Sequence, residues 1–180
     1  MAKSKGERRK EAKADVAPGS DGKCDILSLS NNQLLAFLLK FLVVAAALMI
    51  VWFYCVGAFY QSVVFAFSKP VILLMGYTKL QIAALNLGNA YLVNFNLVPL
   101  VALAVATPNL ILRKRLEMLA IGIPILFLLH VIDILVRFPM YLDHSKFAEM
   151  VYVSIGIVGV AVPFIIWFAI AVSFHGAGKR

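Results

Sequence analysis

Asn94-Phe95-Asn96-Leu97-Val98-Pro99 opens the stretch that decides the fold. An apolar run follows it to Leu112, then comes Arg113-Lys114-Arg115. A second apolar run ends in His130-Val131-Ile132-Asp133-Ile134-Leu135-Val136-Arg137-Phe138. Two apolar runs of near-spanning length joined by a basic hinge read as a hairpin of membrane-crossing helices. The hinge lies at one face of the bilayer and the polar residues gather towards the other.

The rest of the chain agrees with a membrane solvent. The 180 residues are 62% hydrophobic and the mean hydropathy is +0.91. A water-soluble domain of this size needs far more polar surface. The fold class expected is an all-α integral membrane protein, with about four main transmembrane helices. The formal charge of +8 would suggest nucleic acid in a soluble protein. Here the position of the charges explains it better, because cytoplasmic loops collect Lys and Arg; no nucleic-acid partner is expected. Cys24 and Cys55 lie in different segments with no CxxC, so neither a disulfide framework nor a zinc site is indicated.

Working outward, residues 1–30 read as a disordered, basic cytoplasmic tail, turn-rich over Asp15–Gly22 and suited to a positive-inside anchor. Residues 31–180 form the transmembrane domain. Ser28 to Asn32 offers N-cap chemistry for a first span over 34–59, where Lys40 snorkels to the near interface and Trp52, Tyr54 and Tyr60 mark the far one. Residues 61–93 break into short apolar pieces around Ser68-Lys69-Pro70 and Gly76-Tyr77, too short to cross singly. They are expected to be amphipathic or re-entrant at the extracytoplasmic face, a Pro-broken span being the alternative. The remaining spans fall at 97–112, 116–136 and 150–174, with Pro124 a kink and 139–149 a short outer loop. This topology puts thirteen basic residues inside and only Lys69, Lys79, Arg137 and Lys146 outside. That asymmetry favours a plasma-membrane protein with both termini cytoplasmic.

Few residues are candidates for chemistry. Asp133 and Arg137 stand four apart on one helix, the spacing of a structural ion pair. His130 precedes Asp133 by less than a turn, but no second span supplies a carboxylate for a proton relay. Arg137, His144, Asn94, Asn96 and Cys55 all fall towards the outer side. HExxH, GxSxG, Walker and dinucleotide-binding glycine motifs are absent, so no cofactor or metal is expected. Gly156, Gly159 and Ala161 read as small residues for close helix packing.

The order of these pieces resembles the exosortase and archaeosortase family of membrane transpeptidases. Val131–Phe138 looks like the family's segment ending in an Arg, and His144 falls where its His stands. The run Leu97 to Pro108 with Arg113-Lys114-Arg115 is similar to the family's helix after the nucleophile. The likeness covers about residues 34–174. It implies an extracytoplasmic site built on Arg137 and His144 that cuts a C-terminal sorting signal from exported proteins. Where the nucleophilic Cys should stand, however, this chain has Asn94-Phe95-Asn96-Leu97, which supplies no thiolate. Cys55 is the only substitute nucleophile in reach of that face. The expectation is therefore a non-catalytic exosortase-like or exosortase-associated protein, binding a membrane protein partner or a C-terminal segment through Asn94, Asn96, Arg137 and His144. The competing readings are a cysteine transpeptidase using Cys55, and a small structural subunit of a larger membrane complex.

Overall fold

A computed structural model describes residues 30–85, 87, 94–108 and 110–173. The basic tail, Cys24, most of 86–93 and Lys179-Arg180 lie outside the described residues. The elements, in order, are α1 (Asn31–Val51), a π-helical turn (Trp52–Val56), α2 (Gly57–Leu74), α3 (Lys79–Ala84), α4 (Leu97–Ala106), α5 (Leu112–Leu142) and α6 (Lys146–Ser173). Among the described residues there is no strand. Among the described residues, three helical stretches are long and apolar enough to cross a membrane: α1 running unbroken into α2, α5, and α6.

The first of these departs from the expected span of 34–59. One helix of 44 residues runs from Asn31 to Leu74, about 66 Å at 1.5 Å per residue. Ser68-Lys69-Pro70 interrupts the hydropathy but not the helix. Pro70 removes one backbone donor, which costs one hydrogen bond and need not end a helix supported on both sides. The helix gives way just before Gly76, whose φ of 94° turns the chain. Ser30 starts the helix as expected, its N–H donating to Gln33 Oε1 at 3.2 Å.

The π-helical turn has a packing consequence. Up to it, the less exposed positions are Phe37, Phe41, Val44, Ala45, Leu48, Met49 and the buried Trp52; beyond it the buried ones are Gly57, Gln61, Val64, Ser68 and Ile72. Without the extra residue, Val56 would continue the stripe, and Val56 is exposed. The bulge slips the buried face by one residue so that α1 packs on α4 and α2 on α5.

Two apolar clusters order the bundle. Leu100, Leu103, Met118, Leu126 and Ile166 pack with Phe37, Phe41 and Trp167 near the end that carries Lys40 and Arg113-Lys114-Arg115, the basic end. Val64, Ile72, Ile82, Ile134 and Phe138 pack with Tyr77 towards the far end. The long first helix therefore runs parallel to α5, while α4 and α6 run antiparallel to α5.

Arg113-Lys114-Arg115 does not form a loop but the first turn of α5. Arg115 folds back onto the end of α4, its Nε donating to Leu110 O at 2.9 Å and its Nη2 to Thr107 O at 3.2 Å. Those carbonyls follow a helix that has no further turn to satisfy them. Trp167 Nε1 donates to Thr107 Oγ1 at 2.8 Å, tying α6 to the same corner.

The stretch expected as a full second span, 97–112, holds a helix of only ten residues, about 15 Å and half a hydrocarbon core. It starts inside the bundle. A Cβ on Gly159, midway along α6, would lie 2.5 Å from Asn96 Nδ2, so only glycine admits the Asn96 amide there. Gly122 plays the same part for Leu100, whose Cδ2 would be 2.6 Å from an added Cβ.

Candidate functional site

Helical spacing puts His130, Asp133 and Arg137 on one stripe of α5, and all three are buried. Each meets a different neighbour. His130 faces α2, Asp133 faces Asn94 at the approach to α4, and Arg137 faces α6. One polar stripe thus joins four parts of the chain.

Its centre is Asp133 Oδ2. That oxygen accepts from Arg137 Nε at 3.0 Å and from Asn94 Nδ2 at 3.2 Å. Arg137 Nη2 approaches it at 2.9 Å, within ion-pair distance but without hydrogen-bond geometry. Arg137 is 8% exposed and Asp133 4%, so the charges neutralise each other away from water. Asp133 lies ten residues before Asp143, about 15 Å deeper along the helix. The guanidinium also lies over the Tyr152 ring, its Cζ 5.1 Å from the ring centroid.

Deeper in the bundle, His130 Nδ1 and the Tyr60 hydroxyl lie 2.7 Å apart, with Trp52 and Phe127 rings against Tyr60. His130 Nε2 has no hydrogen-bond partner, and neither has the buried amide of Gln61 on the inward stripe of α2.

Towards the far end the stripe reaches an open pocket of about 440 Å³. Tyr152 is shared between them. The pocket is walled by Tyr141, His144, Lys146, Glu149 and Val153, with Lys146 Nζ 2.9 Å from Glu149 Oε2. His144 holds the three-residue turn between α5 and α6 in the left-handed region, φ 53°. The Ser145 N–H donates to Pro139 O there at 3.1 Å. Beside it, the Tyr77 hydroxyl donates to Asp143. Burial first, then that bond and the carboxylate's charge, push the Tyr77 phenol up to about 12.

The residues singled out in the sequence thus separate into two levels. Asn94, Asp133 and Arg137 come together in the interior, with Asn96 nearby against α6. His144 is an exposed turn residue, linked to Arg137 only through Tyr152 and the pocket. Cys55 lies on the exposed face of the first long helix, inside the π-helical turn. It is fifteen residues from Lys40 and fourteen from Lys69, about 22 Å along the helix from either, midway between the two charges.

Tyr60, Gln61 and Tyr152 were not foreseen as members. Gln61 carried a signal, being an uncharged polar residue within what proves to be a continuous apolar helix. Among the described residues no group of three His, Cys, Asp or Glu side chains could hold a metal ion. No protein family, curated protein or solved structure matches the chain.

Proposed function

We propose that this chain is a non-catalytic, exosortase-like membrane protein of the plasma membrane, with the far end extracytoplasmic. In this reading it binds a membrane protein partner, or the C-terminal segment of an exported protein, in the pocket between α5 and α6. One observation carries the reading. The open pocket is walled by His144, Lys146 and Tyr152, and the buried Arg137 lies against the Tyr152 ring, so a ligand seated there meets an imidazole, an ammonium and an aromatic face backed by a second cation. A peptide carboxylate or backbone carbonyl suits those groups. The outward, mid-bilayer position of Cys55 supports the non-catalytic form over the cysteine transpeptidase, because a thiol there attacks nothing at either interface.

The structural-subunit reading draws on a different fact. Asp133 and Arg137 satisfy each other, which a purely architectural pair also does. Affinity purification of the tagged protein from its native membrane in mild detergent, with mass spectrometry, separates the two. Recovery of a Cys-bearing exosortase, or of proteins with an apolar and basic C-terminal tail, supports the binding reading if Tyr152→Ala abolishes it. Co-purification of a stable respiratory or transport complex, unaffected by Tyr152→Ala, overturns it.

A further inference from the structure

The first long helix is longer than the bilayer it crosses, and part of the surplus lies at the far end. Lys40 and Lys69 are the charged residues along it, both exposed. They stand 29 residues apart, about 44 Å, which matches a whole bilayer including its headgroups. Everything from Lys69 onward, through Leu74 and the Gly76 turn into α3, therefore emerges at the far headgroup layer. The Tyr77–Asp143 bond fixes the same depth independently, since Asp143 ends α5 at the polar turn.

An elbow at that level should show water a polar surface, yet much of what this one exposes is apolar. Leu74 is 86% exposed and Leu80 81%, with Phe67, Val71, Leu73 and Met75 also outward. Around them the chain carries only positive charge. No Asp or Glu occurs between Asp25 and Glu117, while Lys69 and Lys79 are both exposed. The acidic residues at this end are already engaged, Asp143 by Tyr77 and Glu149 by Lys146. Behind the apolar surface the elbow is firmly held. Ile72 and Ile82 are buried against Ile134 and Phe138, and Thr78 caps α3 by accepting from the Gln81 N–H.

We propose that the α2–α3 elbow is a binding surface for anionic phospholipid at the far headgroup layer. Lys69 and Lys79 pair with lipid phosphates, and Leu74, Met75 and Leu80 sink between the upper acyl chains. Exposed leucines flanked by unbalanced lysines are the pattern of an interfacial lipid contact. A protein partner would have to cover that apolar surface and also supply acidic groups; a leaflet containing anionic phospholipid offers both at that depth. The proposal is independent of what occupies the α5–α6 pocket.

The test is local, so that the basic N-terminal tail cannot supply the signal. An environment-sensitive fluorophore is attached at Leu80→Cys in a full-length chain carrying Cys24→Ser and Cys55→Ser. The protein is reconstituted in nanodiscs of phosphatidylcholine, alone or with phosphatidylglycerol, each containing headgroup-region spin-labelled lipid. Quenching by that lipid is expected in both, stronger with phosphatidylglycerol. Lys69→Gln with Lys79→Gln should reduce the anionic-lipid preference by about fivefold for each lysine removed. A label quenched freely by aqueous iodide and indifferent to lipid overturns the proposal, and leaves the elbow as a protein-docking surface. A phosphatidylglycerol effect that survives both Gln substitutions also overturns it.

Discussion

Removing one charge from the Asp133–Arg137 pair should be far more damaging than removing both. At 2.9 Å and an effective dielectric of about 20, the Coulomb attraction is roughly 6 kcal/mol, before desolvation is subtracted. The net value of such a pair against apolar residues is near zero, whereas stranding one partner costs about 3–5 kcal/mol. Asp133→Leu strands Arg137 beside the Asn94 amide. Arg137→Met strands Asp133, with only Asn94 donating to it. Each single variant should lose about 3–5 kcal/mol, and the double variant should recover most of it, a coupling of at least about 2 kcal/mol. Reversible unfolding of the four proteins in bicelles, followed by near-ultraviolet circular dichroism, measures this cycle. Additive single losses, or single variants within about 0.5 kcal/mol of the parent, would refute the buried-pair reasoning. The double variant then serves a second purpose, because it separates stability from binding. It should fold, and it should fail to retain a ligand that needs the cation under Tyr152.

Other expectations follow from single contacts. Gly159→Val should destabilise by about 1–3 kcal/mol by pushing the Asn96 amide off α6, whereas Gly156→Val, which meets nothing within 4 Å, should be near neutral in the same unfolding assay. His144→Gly should raise stability by up to about 1 kcal/mol by relieving its left-handed backbone, yet lose ligand binding with the imidazole; His144→Ala keeps the strain and loses binding alike. Because the folded Tyr77 holds its proton up to about pH 12, against an ordinary value of 10, its contribution is complete below pH 10 and fades as pH rises from 10 to 12. Thermal melts of the parent and Tyr77→Phe across that window should converge at the alkaline end. Cys55 should resist a charged maleimide from either side of sealed vesicles; rapid labelling by that reagent would displace the helix from its inferred depth.

Much of the fold was legible in the sequence because hydropathy registers the bilayer directly. The long apolar helices, the α5–α6 hairpin and the Asp133–Arg137 spacing were all visible. Helix continuity was less so. Lys69 and Pro70 break the apolar run, but a helix persists through one missing donor, so polarity misplaced its end. The reverse held at 97–112, where an apolar run conceals a half-length helix that begins in the bundle. The difference there lies in Gly159 and Gly122, whose missing side chains let Asn96 and Leu100 approach the backbone of other helices. Such pairings join residues far apart in the chain, and one sequence does not display them. The site was half legible for the same reason. Asp133 and Arg137 share a helix and could be paired by counting, while Tyr60, Gln61 and Tyr152 reach the stripe only through tertiary packing. His144 was placed beside Arg137 by their common side of the membrane, and the structure interposes Tyr152 between them.

The central claim is that the α5–α6 pocket holds a segment of another protein, and site-specific photocrosslinking in native membranes tests it most directly. A benzophenone amino acid replaces Tyr141, an exposed residue of the pocket wall. The account predicts a discrete adduct with an exosortase or with an exported protein's C-terminal region, absent when the same group replaces Leu112 at the basic end and lost with Tyr152→Ala. No adduct from position 141 beyond that of position 112, with the protein correctly inserted, would contradict it.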